Sequence, residues 1–108
     1  MKKFSVHIEE DKGGDPRSAH IRVEGFLDAH TALEFERQMD ALFDRNCFEI
    51  HVDLRDLSYI SSAGIAALMG LTKRCRENSG DLFIHNPTDK VMKILDLLGF
   101  TRIFTIQP

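Results

Sequence analysis

With 108 residues, 43% of them hydrophobic and 29% charged, the chain has the size of one small domain with a single core, so one domain is expected over residues 1–108. A net charge of −3, from 14 Lys and Arg against 17 Asp and Glu, argues against a nucleic-acid surface, which needs clustered cations; only Lys73, Arg74 and Arg76 stand close together. No run is long enough for direct membrane insertion, and Cys47 and Cys75 lack metal-ligand or redox spacing, which suits a cytoplasmic protein with two free thiols.

Met1-Lys2-Lys3 leads straight into Phe4-Ser5-Val6-His7-Ile8, whose alternation predicts a short strand and not the apolar core of a signal peptide. A polar loop from Glu10 to Ser18, containing Gly13-Gly14-Asp15-Pro16, joins it to a second segment in which Ile21 and Val23 alternate with His20, Arg22 and Glu24. The two read as an antiparallel hairpin with a long connection. Gly25-Phe26-Leu27-Asp28 ends the second strand, and Asp28 is placed to cap a helix with Ala32, Leu33, Phe35, Met39, Leu42 and Phe43 on its apolar side.

Phe48-Glu49-Ile50-His51-Val52-Asp53 is the next half-buried strand. Beyond a turn the rhythm becomes helical. Ala63, Ala66, Ala67, Gly70 and Leu71 recur at three- and four-residue intervals beside Leu68 and Met69, which predicts a helix packing on the sheet through small residues. Ser61 or Ser62 falls at its N-cap, where a side-chain oxygen accepts from unpaired amides and the helix N-terminus welcomes an anion. Lys73, Arg74 and Arg76 read as the polar end of that helix, favourable near its negative C-terminus. Asn78-Ser79-Gly80 stops it. Leu82-Phe83-Ile84-His85 gives another strand, Asn86-Pro87-Thr88 starts a third helix with Val91, Ile94, Leu95 and Leu98 on one face, and Gly99 is its C-terminal cap. Arg102-Ile103-Phe104-Thr105-Ile106 follows as an edge strand or tail, giving the order β-β-α-β-α-β-α-β.

Polar residues occupy every second position of several strands: Ser5, His7 and Glu9; His20, Arg22 and Glu24; Glu49, His51 and Asp53. A parallel sheet covered on both faces needs nearly continuous apolar strands. The pattern therefore predicts an α/β fold with a mixed sheet, its helices packed on one face and the other face wet. His7, His20, His51 and His85 could share that wet face, and four converging imidazoles would bind zinc. Ligands must approach the ion to about 2.0–2.2 Å, however, and no His-x-x-x-His pair fixes two of them on one element. Solvated histidines, with no metal and no cofactor, are expected.

A serine on a strand-to-helix turn is also where α/β-hydrolases hold their nucleophile. Gly-x-Ser-x-Gly is absent, because Ile60 stands in the first Gly place for Ser62, and the only histidine after Ser62 is His85, expected on a neighbouring strand. So small a domain also leaves little room for a pocket that excludes water. A small serine hydrolase is thus the weaker reading, and on the turn alone Ser62 could simply be a helix cap.

Asp53-Leu54, followed by Tyr59, Ile60, Ser61, Ser62, Ala63 and Gly64, resembles the phosphorylation loop of STAS domains, in particular the bacterial anti-sigma factor antagonists. The strand-to-helix segment Gly25 to Thr31, the Asn86-Pro87 start and the Gly99-Phe100 pair resemble the same family, so the likeness covers nearly the whole chain. It implies a STAS-like fold with a mixed, mostly parallel sheet of about five strands. It makes Ser62 the phosphoacceptor, with Ser61 the alternative, inside a partner-binding loop of Asp28, Ser58, Tyr59, Ile60, Ser61, Ser62, Ala63 and Gly64. Ser61 stands where many members carry Asp, and Ala63 where many carry Ser or Thr, which alters the acceptor's charge surroundings and leaves strand, turn and helix intact. The resemblance implies a non-enzymatic switch that binds an anti-sigma factor when dephosphorylated at Ser62. Its partners would be that anti-sigma factor, itself a serine protein kinase using ATP, and a serine phosphatase. A STAS subunit or scaffold of a transporter or stress-sensing complex is the alternative.

Overall fold

The alternating strands assemble as their polarity dictates. In the computed structural model, which describes residues 4–10 and 15–107, Ile21, Val23, Ile50, Val52, Leu82 and Ile84 point to one side and are buried, while His20, Arg22, Glu24, Glu49, Asp53 and His85 line the other. Met1-Lys2-Lys3 and the Gly13-Gly14 turn of the first loop lie outside the described residues.

In chain order the elements are β1 (Ser5–Glu10), β2 (Ser18–Leu27), α1 (Ala29–Phe43), β3 (Glu49–Asp53), β4 (Leu57–Ile60), α2 (Ser62–Glu77), β5 (Asp81–His85), α3 (Asp89–Leu97), a short 3-10 turn (Phe100–Arg102) and β6 (Thr105–Gln107). Strands run in the order β1-β2-β3-β5-β6, and β4 pairs the far end of β2. β1 and β2 are antiparallel, whereas the β2–β3, β2–β4, β3–β5 and β5–β6 pairings are parallel. The mixed, mostly parallel sheet is as expected, but it has six strands, because β4 was hidden. Leu57-Ser58-Tyr59-Ile60 buries its first and last residues and exposes the middle two, so it shows no alternation. Its pairing with β2 is interrupted by a register shift between Gly25, opposite Leu57, and Phe26, opposite Tyr59, a local irregularity that re-aims the strand.

All three helices bring their buried side chains into one core with the inner sheet face: Phe35 and Met39 from α1, Ile65 and Leu68 from α2, Val91 and Leu95 from α3. Burial of each such side chain is worth about 1.5–3 kcal/mol. Each helix has its own side-chain cap: Asp28 for α1, Ser61 for α2 and Thr88 for α3. Gly99 follows α3 in the left-handed region, at φ 78°, which only glycine enters without strain.

Three expectations about helix faces need correction. Leu33 is 66% exposed, because the inward stripe of α1 is fixed by Ala32, Phe35, Met39, Leu42 and Phe43 and leaves Leu33 outside it. Leu98 is 56% exposed: it is the C-cap of α3, with backbone already out of helical conformation (ψ 0°), so the helical spacing no longer aims it inward. In α2 the packing face is carried by Ile65, Leu68, Leu71 and Cys75 with Gly64, Ala67 and Thr72. Ala66 and Gly70 are exposed and line a shallow groove toward α1, because the large side chains take the buried positions.

The cationic end of α2 is structural. Arg74 pairs with Asp40 at 2.9 Å and lies over the Phe43 ring, while Arg76 donates to Asp81 at 2.9 Å and to the Ile103 carbonyl. Cys47 and Cys75 are both buried and unpaired. Among the described residues no helix is long and apolar enough to cross a membrane.

Candidate functional site

At the end of β3 the Asp53 carboxylate accepts from the backbone N–H and the Nε of Arg55, both at 3.0 Å, an Asx-type turn that offsets the chain before β4 continues in the same direction, parallel to β2. Leu57 N–H then donates to the Leu54 carbonyl at 3.0 Å, and β4 runs out beside the end of β2. Its last residue, Ile60, is buried, and Ser61 N–H donates to the Leu27 carbonyl at 2.9 Å. Ser61 is in extended conformation, its hydroxyl oxygen accepts from Gly64 N–H at 3.2 Å, and its carbonyl accepts from Ile65 N–H at 2.9 Å. Of the two candidate serines, Ser61 is therefore the cap. Ser62 is the first residue of α2 and is exposed.

Gly64 explains how the helix comes so close to the sheet. A Cβ there would lie 2.5 Å from the Leu27 carbonyl oxygen and 2.9 Å from Ile60 Cγ1, a separation no other residue could hold without moving the backbone.

Asp28, one residue beyond Leu27, organises the neighbouring helix. Its carboxylate accepts from His30 N–H at 2.9 Å and Thr31 N–H at 3.0 Å, while Thr31 Oγ1 accepts from Asp28 N–H at 2.9 Å, a reciprocal capping box. The Thr31 amide is the chief cause that holds the Asp28 carboxyl below the ordinary carboxylate range. Two helix N-termini thus start from the same end of β2; the Asp28 carboxylate offsets the positive end of α1, while the Ser61 cap leaves the positive end of α2 without a charge of its own.

The loop expected to bind a partner divides by exposure. Ser58, Tyr59 and Ser62 are exposed; Asp28, Ser61 and Ala63 are half-buried; Ile60 and Gly64 are buried and shape the turn without presenting a surface. Two residues outside the sequence expectation join it. Phe26 is 37% exposed and meets the 39%-exposed Tyr59 edge to face at 6.0 Å, and Lys90 Nζ stands 5.7 Å from the Tyr59 ring on the other element packed there, α3. Phe26 was visible in outline, as the one apolar residue in the outward phase of His20, Arg22 and Glu24. Lys90 was not, because only the packing of α3 on β4 brings it there. His85, the only histidine after Ser62 in the sequence, is hydrogen-bonded to His51 at 2.8 Å. Among the described residues no group of three or more His, Cys, Asp or Glu side chains is arranged to hold a metal ion.

A family model described as "Mlab, STAS domain" matches residues 11–107. The chain is 30% identical over 87 residues to the anti-sigma F factor antagonist of Paenibacillus polymyxa, which covers 80% of this chain and 74% of that one. In fold it is similar to an anti-sigma factor antagonist from Mycobacterium paratuberculosis, with TM-score 0.82 and 17% identity over 98% of this chain and 86% of that one. It is also similar to the Bacillus cell fate determinant SpoIIAA in its phosphorylated form, with TM-score 0.70 and 18% identity over 98% and 92% of the two chains.

Proposed function

The chain belongs to the STAS domain family, and we propose from that premise that it is an anti-sigma factor antagonist, a non-enzymatic cytoplasmic switch controlled by phosphorylation of Ser62. The observation that carries the assignment of the acceptor is the division of labour between adjacent serines. Ser61 commits its oxygen to the Gly64 amide, whereas Ser62 stands exposed at the first position of α2. A kinase can reach Ser62 without dismantling the cap.

The same geometry says what a phosphate would do. It adds about −1.5 to −2 charges at the positive end of the α2 dipole, which favours an anion by about 0.3–1 kcal/mol at an exposed site. The domain should therefore stay folded, and the switch must act at the interface. The unphosphorylated edge presents Ser58, Tyr59 and Phe26 with a neutral hydroxyl beside them, a surface an anti-sigma factor can cover. A dianion in that contact must be desolvated without a matching cation from the partner, which weakens binding. In this reading the anti-sigma factor is itself the serine kinase and a serine phosphatase restores the binding form. Intact-mass analysis after incubation with the cognate anti-sigma factor and ATP tests it: one phosphate on wild-type protein and on Ser61→Ala, none on Ser62→Ala. Labelling of Ser62→Ala but not Ser61→Ala would move the acceptor to Ser61.

A further inference from the structure

The open face of the sheet carries an arrangement with no part in the Ser62 switch. His51 lies between two flat neighbours: the His20 ring is stacked on it at 4.5 Å with 9° between planes, and the Phe83 ring at 4.7 Å with 11°. Register enforces this, since His20 faces His51 across β2–β3 and His51 faces Phe83 across β3–β5. His85, two residues further along β5, closes the group with a hydrogen bond of 2.8 Å between its Nε2 and His51 Nδ1. The His51 side chain is only 19% exposed, so the unit is packed, not merely solvated.

We propose that this ladder is an acid-sensitive latch on the open sheet face, assembled when it carries no added proton or one and released when His51 and His85 are both protonated. The hydrogen bond needs one ring nitrogen with a proton and one without. A first added proton leaves that condition intact: an imidazolium at His51 donates through Nδ1 to the bare His85 nitrogen, and its Nε2–H faces Glu49 Oε2 at 3.8 Å. A second proton puts hydrogens on both nitrogens. The bond is lost and two cations oppose each other with ring centroids 5.0 Å apart. Protonation of His20 against the face of a charged His51 adds the same repulsion.

The remaining groups on this face offset that charge only in part. Glu9 and His7 reach it from β1, Arg22 and Glu24 from β2, Glu49 and Asp53 from β3, and Arg55 from the following turn; Thr105 and Gln107 of β6 carry no charge. Asp53 is committed to Arg55 at 3.0 Å and Glu24 lies near Arg22 at 3.5 Å, which leaves Glu49 as the acid beside His51 and Glu9 as the acid opposite His20. Burial lowers the proton affinity of His51, and His20 and His85 push the same way.

Histidine ring signals followed by NMR from pH 7.5 to 4.5 test this. The expected result is a His51 midpoint below its ordinary 6.5 and a second, separate step in which the Phe83 ring signals shift as the stack opens. His51→Phe keeps a stacked ring but cannot be charged, so in that variant the Phe83 signals should no longer respond to pH. Independent one-proton titrations with Phe83 unmoved, or an equal Phe83 response in His51→Phe, would overturn the proposal.

Discussion

Ser61 N–H donates to the Leu27 carbonyl at 2.9 Å, and through that hydrogen bond the start of α2 is fastened to the end of β2. The placement of Ser61 and Ser62 depends on how close this junction is, with Gly64 packed against the Leu27 carbonyl.

Gly64 is the first test of it. Alanine is favoured over glycine in a helix by up to about 1 kcal/mol, but here its Cβ would meet the Leu27 carbonyl oxygen at 2.5 Å. Overpacking of this kind costs about 1–3 kcal/mol, so Gly64→Ala should lower Tm in a thermal melt. A higher Tm would show that the junction is looser than described.

The two serines should separate stability from modification. Ser61→Ala removes the cap and should cost about 0.5–2 kcal/mol in urea unfolding, while Ser62→Ala, at an exposed N1 position, should leave the urea midpoint nearly unchanged. Equal losses in both variants would contradict the assignment of Ser61 as the cap.

Acid should destabilise the fold in two windows. Burial, reinforced by His20 and His85, holds the folded-state pKa of His51 below 6.5, so the unfolded chain binds more protons there. That contribution is complete above pH 6.5 and is lost as pH falls through the folded value. Burial raises the pKa of Asp81, but hydrogen bonds from Thr105, Arg76 and the Leu82 amide outweigh it and hold the acid below 3.8, so its contribution is lost as pH falls below that. Urea midpoints should drop between pH 7.5 and 5, and less so in His51→Phe. An unchanged midpoint in wild type would refute the first window.

Neither thiol should react in the native state. Burial raises the Cys47 pKa and pushes Cys75 to about 12, and the thiolate is the reactive form. A thiol-specific reagent at pH 8 should label both cysteines in denaturant and neither in the folded protein. Rapid native labelling of Cys75 would mean the α2–β5 layer opens readily.

Much of this was readable before any coordinates. Asp28, Thr88 and Gly99 announced helix ends through chemistry that is local to a few residues, and the two-residue polar rhythm of β1, β2 and β3 announced an open sheet face. What stayed hidden depends on neighbours distant in sequence. Leu57-Ser58-Tyr59-Ile60 becomes a strand because the end of β2 offers it a partner, not because of its own pattern. His20, His51 and His85 looked like separate solvated side chains, since strand order and register, which bring them into one stack, cannot be read from spacing. Leu33 was misjudged by residue type and Leu98 by a helical spacing that ends one residue before it, and the choice between Ser61 and Ser62 as cap required the backbone.

The central claim is that charge at position 62 governs partner binding without unfolding the domain. Calorimetric titration of Ser62→Ala and Ser62→Asp against the cognate anti-sigma factor, with Tm recorded for each, tests it most directly. Each 1.4 kcal/mol is tenfold in affinity, so Ser62→Ala should bind like the unphosphorylated wild type, and Ser62→Asp should lose about 3 kcal/mol, more than a hundredfold, at nearly the same Tm. Equal affinity of the two variants would contradict the claim.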